Sequence, residues 1–261
     1  MKVVTSRDNP AFRDLRDLVR DARRQKREGR TVLDGPHLVA AALDHGLIPD
    51  LVAVSEEAAA LPEVATLLER VPSVATLNLR DALFREISEL ASPLGILARI
   101  AIPAVPEAMP TSDCVLLDAV QDAGNVGTLL RTAAAAGVRD ILLGRGCAGA
   151  WSPRVLRAAQ GAHFVLMIRE QVDLAGFLKQ YPGMPVATVA REGQSLYDLD
   201  LVQSTAWLFG NEGAGLTLEL VDLARQRATI PLAPGNESLN VAAAAAVCLF
   251  EMRRQRAART I

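Results

Sequence analysis

Three short stretches of the 261-residue chain combine residue types that could act together on a bound molecule. In the first, residues 116–137, an apolar strand passes through a polar loop into a helix starting near Asn125, with Gly127 in its first turn. Arg131 is the one long polar side chain before a run of Ala. Free N–H groups at such a helix start favour an anionic or polar guest. Two accounts stand side by side here: Asn125 and Arg131 face a ligand, or Asn125 is a plain cap and Arg131 a surface side chain. The second stretch, residues 207–216, runs an apolar strand straight into Gly210, Asn211, Glu212 and Gly213. Glycine lets the backbone come close to a ligand. A carboxylate at the end of a buried strand needs a partner, so Glu212 is expected to meet a positive group, either a protein Arg or a substrate. The third stretch, residues 228–247, leads from Ile230-Pro231-Leu232 through a Pro-Gly loop to Ser238 and Asn240 at the head of a small-residue helix. Ser238 reads as its N-cap. Asn240 has no such ready account, and the five Ala at 242–246 imply close packing against a neighbour. A fourth stretch, GRGCAG at 144–149, imitates the glycine-rich turn of a dinucleotide site, with Glu170 beyond the next strand as its acidic partner. Against that reading, the next helix starts only at Ser152-Pro153, too late for these glycines to lie at its N-terminus.

The elements that must position these residues alternate along the chain. Phe12, Leu15, Leu18 and Val19 recur at helical spacing after Asn9-Pro10, predicting one helix that Gly29 ends. Short apolar runs and helices follow, with strands at 31–35, 51–56, 74–78 and 94–101. This outlines a small α/β unit over residues 1–103. Pro103, Pro106 and Pro110 mark a link at 104–112, and a second β/α alternation occupies 113–261. Its apolar strands, among them 164–168 and 228–232, predict a parallel sheet covered on both faces. Ligands on such sheets bind beyond the carboxyl ends of the strands, which is where the three stretches lie.

Composition narrows the function classes. Hydrophobic residues at 50% and charged residues at 22% exclude a disordered chain. The start of the sequence lacks an apolar leader, and no apolar run is long enough to span a bilayer. Three scattered Cys and three His offer no metal-ligand spacing, so neither metal nor membrane is expected, and a reducing cytoplasm fits. There is no nucleophile elbow or P-loop to support a hydrolase or NTPase. The net charge of −2 hides an asymmetry: residues 1–30 carry ten Lys/Arg against five Asp/Glu, and the last nine carry four Arg and no acid. Basic ends on an otherwise acidic chain suit a polyanion-binding protein with a separate catalytic body, or simply a solvated helix face.

The three stretches together resemble the SpoU/TrmH branch of the SPOUT RNA methyltransferases, the trefoil-knotted class. Asn125, Gly127 and Arg131 match its N-x-G-x-x-x-R pattern. Gly210, Glu212 and Gly213 match its G-x-E-G turn, and Ile230, Pro231, Ser238, Leu239, Asn240 and Val241 its I-P strand and S-L-N-V run. One departure is Ala123, where the family usually has proline. The likeness covers about residues 113–256; the N-terminal unit is a looser match to a ribosomal-protein-like RNA-binding domain.

The resemblance implies an α/β protein with a C-terminal parallel-sheet knot domain and a smaller N-terminal α/β RNA-binding domain. It implies methyl transfer from S-adenosylmethionine to a ribose 2'-hydroxyl, in ribosomal RNA rather than transfer RNA, by a homodimer. Asn125, Arg131, Glu212 and Asn240 would be catalytic. Thr188, Val189, Ala190, Gly210, Ile230, Leu232, Ser238 and Leu239 would hold the cofactor. Arg23, Arg24, Lys26 and Arg27 would contact RNA. The competing classes are a transfer-RNA enzyme, a non-catalytic RNA-binding protein and, weakest, a nicotinamide-dependent dehydrogenase.

Overall fold

The first helix shows how local sequence sets the N-terminal architecture. Asn9 accepts hydrogen bonds from the amides of Ala11 and Phe12, and Pro10 occupies the first turn, where its missing N–H costs nothing. The computed structural model describes residues 3–90 and 92–259. By packing, the chain divides into two units, residues 1–104 with 151–164, and residues 105–150 with 165–261.

The first unit runs β1 (Val3–Val4), α1 (Pro10–Arg20), α2 (Ala22–Glu28), β2 (Arg30–Asp34), α3 (Pro36–Asp44), β3 (Leu51–Ser55), α4 (Pro62–Glu69), β4 (Ala75–Leu79), α5 (Asp81–Ile87) and β5 (Ile96–Ala101). Its sheet has the order β1-β4-β3-β5-β2, with β5 antiparallel to both of its neighbours. Phe12, Leu15 and Leu18 are buried against Leu51, Leu79, Phe84 and Leu97. The single helix expected over residues 10–29 is two helices. The Asp21 side chain accepts from the amides of Arg23 and Arg24, competing with the backbone and restarting the helix. Gly29, at φ +60°, ends the second of them. The helix at 81–87 was not expected from the sequence.

The second unit contains β6 (Cys114–Asp118), α6 (Ala123–Ala136) and β7 (Asp140–Leu143). After α7 (Pro153–Ala159), which packs within the first unit, come β8 (Met167–Glu170), α8 (Leu174–Leu178), β9 (Met184–Thr188), β10 (Gln194–Ser195) and β11 (Thr205–Gly210). The chain continues with α9 (Leu218–Leu223), β12 (Gln226–Thr229) and α10 (Val241–Ala257). Among the described residues the sheet has the order β10-β12-β9-β11-β6-β7-β8, and every pairing is parallel. Strand β11 is buried along its whole length, as a central strand covered on both faces must be.

Register decides where the chemistry can happen. Leu208 pairs with Leu116 and Gly210 with Asp118, so β11 and β6 end level. The loop leading to Asn125 therefore starts beside the turn carrying Glu212. Helix α10 packs on α6 with Ala242 and Ala245 buried, which accounts for the Ala run. Two strand limits differ from expectation by three residues. Residues 162–165 form a single 3-10 turn, so β8 starts only at Met167. Strand β12 stops at Thr229, because Pro231 has no N–H for the ladder, and Ile230 and Leu232 leave the sheet.

Candidate active site

Beyond the carboxyl ends of β9, β11 and β12 lies a cavity of about 720 Å³, a size typical of small-molecule sites. Thr188, Val189 and Ala190 line it from the end of β9, Gly210 and the turn after it from β11, and Ile230, Leu232, Ser238 and Leu239 from the segment before α10. All eight residues expected at a cofactor site thus share one wall system. Each has a local reason to be there. The Thr188 hydroxyl donates to the Leu208 carbonyl at 2.7 Å, tying the ends of β9 and β11 together. A Cβ on Gly210 would come within 2.3 Å of the backbone of Gly215 and Leu216, so no other residue lets the turn fold back this tightly. Arg191 and Glu237 form an exposed ion pair at 3.4 Å on the rim.

Beside the cavity, side chains from all three stretches form one hydrogen-bonded chain. Asn240 caps α10, its Oδ1 accepting from the amides of Ala242 and Ala243 at 2.9 and 3.2 Å. With its oxygen occupied, its Nδ2 donates to Asn125 Oδ1 at 2.9 Å. Asn125 Nδ2 then donates to Glu212 Oε1, also at 2.9 Å. Both amides are oriented without ambiguity, because the helix N–H groups fix one end and the carboxylate the other. Glu212 also accepts from the backbone N–H groups of Gln121 and Asp122 at 3.3 and 3.2 Å. Desolvation pushes the Glu212 carboxyl up, but the hydrogen bonds from Asn125 and the backbone outweigh it and hold the group below its ordinary value.

Three expectations are corrected by this geometry. Glu212 meets neutral donors rather than a cation. Asp122, not Asn125, caps α6, accepting from the Asn125 amide at 2.7 Å. Asn240, not Ser238, caps α10. Glu170, the acidic residue of the disfavoured dinucleotide reading, has a structural partner, its Oε1 accepting from the Ala150 amide at 2.7 Å. The signal for Asp122 was present in the sequence: an Asp directly ahead of a helix is a strong cap.

Arg131 stands apart from the other three. It is exposed on α6, six residues or about 9 Å along the axis from Asn125, and is not among the cavity-lining residues. Among the described residues no hydrogen bond or ion pair engages it. In the first unit, Arg23, Lys26 and Arg27 are exposed on α2. Arg24 is instead held by Asp14 and Glu28, in a network that continues through Arg99 to Asp50. Burial pushes the Cys147 thiol up to about 11, which leaves it protonated and a poor nucleophile. Among the described residues no group of three or more His, Cys, Asp or Glu could hold a metal ion, and no helix is long and apolar enough to cross a membrane.

Comparison with known proteins places the chain in a family. The chain is 33% identical to an uncharacterised tRNA/rRNA methyltransferase of Synechocystis sp., over 97% of this chain and 93% of that protein. It is 32% identical to the 23S rRNA (guanosine(2553)-2'-O)-methyltransferase RlmP of Bacillus subtilis, over 97% of this chain and all of that one. An AdoMet-bound rRNA methyltransferase from Sinorhizobium meliloti superposes with a TM-score of 0.84 at 29% identity, covering 97% of both chains. Residues 113–250, which contain every cavity-lining side chain and the whole Glu212–Asn125–Asn240 chain, match the model of the SpoU rRNA methylase family, and this protein belongs to that family.

Proposed function

We propose that this protein transfers a methyl group from S-adenosylmethionine to a ribose 2'-hydroxyl of ribosomal RNA. The observation that carries the reading is the convergence of the second and third stretches on one cavity, joined by the first, whose Asn125 lies 87 residues before Glu212, through one hydrogen-bonded chain. The donor set fits the cofactor. Exposed backbone at the ends of β9 and β11 can serve its polar groups, while Val189, Ile230, Leu232 and Leu239 offer an apolar slot for a planar base. When bound, the cofactor supplies an electrophilic methyl group.

The residues of the chain then have to bind, orient and stabilise. Glu212, Asn125 and Asn240 form a rigid edge that orients the ribose. A guanidinium stays protonated in proteins, so Arg131 acts as a donor rather than as a base. It holds the adjacent phosphate and stabilises negative charge as it develops on the 2'-oxygen. Arg131 lies off the cavity of its own chain, and Phe250 of α10 is 46% exposed. Both features support a homodimer in which the two chains build the RNA site together. Residues 230–240, running from the end of β12 to α10 while lining the cavity, are the stretch we assign to the trefoil crossing. The first unit we assign to RNA binding on a ribosomal-protein-like fold, with Arg23, Lys26 and Arg27 as phosphate contacts and Arg24 as a brace behind them.

The name of the Bacillus subtilis relative favours ribosomal over transfer RNA. Incubation of the protein with radiolabelled cofactor and either RNA tests this. Label entering ribosomal RNA, mapped to a 2'-O-methyl group, is the expected result; label entering only transfer RNA, or a base, overturns it.

A further inference from the structure

Asn211, the second residue of the G-x-E-G turn, makes two separate kinds of contact. Its Oδ1 accepts from the amides of Gly213 and Ala214, each at 2.9 Å, closing a side-chain turn in the segment that walls the cavity. Because that oxygen is taken, the other end of the amide must donate, and Nδ2 does so to the Ala119 carbonyl at 2.8 Å. Ala119 is the first residue past β6 and sits at φ +52°, a region that L residues hold only with support from their surroundings. The residues that follow it include Gln121 and Asp122, whose amides bind Glu212, and Asn125.

The glycine-rich run that imitated a dinucleotide site supports the same loop from behind. Gly144 donates to the Leu117 carbonyl and Ala148 to that of Val120, each at 2.9 Å. A Cβ at Gly144 would meet Leu174 at 2.9 Å. A Cβ at Gly146 would meet Ala119 at 3.3 Å, so the run lies close against the loop leading to α6. That loop is therefore held on one side by residues 144–148 and on the other by the Asn211 amide.

We propose that Asn211 is a positioning residue with separable ends: Oδ1 shapes the cofactor wall, and Nδ2 holds the β6–α6 loop so that its donors meet Glu212. The kinetic consequence rests on the proposed methyl transfer; the structural one does not. Asn211→Asp keeps an acceptor for Gly213 and Ala214 but sets an oxygen against the Ala119 carbonyl, whereas Asn211→Ala removes both ends. Hydrogen exchange at the amides of Gln121 and Asp122 should quicken about tenfold in both variants, the scale of one lost neutral hydrogen bond. Exchange at Gly213 and Ala214 should quicken only in the Ala variant. Cofactor affinity, by calorimetry, should stay within about twofold in the Asp variant and weaken about tenfold in the Ala variant, while kcat falls about tenfold in both.

Unchanged exchange at 121–122 in Asn211→Asp, or equal loss of cofactor affinity in the two variants, overturns the proposal. If the Ala variant does not fold, the contrast between 121–122 and 213–214 within the Asp variant decides alone. Failure of the methyltransferase reading would show separately, as wild-type protein that neither binds the cofactor nor transfers methyl, with the exchange pattern still reporting on Asn211.

Discussion

Glu212 is held by an amide side chain and two backbone N–H groups instead of a cation, and this has a consequence for pH. Its carboxyl lies below the ordinary value in the folded protein, so the stability it contributes is present above the unfolded value of about 4.3 and lost as pH falls through the lower folded one. Wild-type protein is therefore expected to melt higher than Glu212→Gln at neutral pH, with the gap closing in acid; thermal unfolding between pH 7 and 3 checks this. Arg131 predicts a different pattern, because nothing in its own chain engages it and it lies off the cavity wall. Arg131→Ala should lower kcat by about a thousandfold, as the loss of a transition-state donor does, while calorimetry finds cofactor affinity within about twofold. An active Arg131→Ala protein would remove it from the mechanism.

At the scale of elements, the turn after β11 is the critical piece. Its backbone pairs Asn211 with Gly215 in both directions, at 3.0 and 2.9 Å, leaving no room for a side chain at Gly210. Gly210→Ala should cost about 2–3 kcal/mol by overpacking against backbone that cannot yield. Denaturant melts would register that loss, and cofactor binding should disappear with the turn. Sequence reading found most strands and helices but missed the helix at 81–87 and misplaced several element ends. The helix at residues 10–29 had the right apolar face yet is broken at Asp21, whose backbone is extended and whose side chain caps the second helix. Strand β12 was drawn too long because its apolar run continues past Pro231, and apolar character does not say whether a residue pairs in a sheet or lines a cavity.

At the scale of the whole molecule, two predictions concern assembly and substrate. Sedimentation should give twice the mass of one chain, and Phe250→Glu should shift it to one and depress methyl transfer with it. Replacing Arg23, Lys26 and Arg27 together by Ala should flatten the dependence of RNA affinity on salt by about two to three units of log–log slope, since each phosphate contact releases counterions. An unchanged slope would place the RNA on another face. Residue types at fixed spacing in three stretches already pointed to the family and marked Asn125, Glu212 and Asn240 as polar groups at strand and helix ends, because local chemistry at strand ends is written locally. What only the tertiary structure decided was which groups those residues meet. The partner of Glu212, the bracing of Arg24 and the work of Asn211 depend on strand register and on segments far apart in sequence. A single chain position carries no record of either.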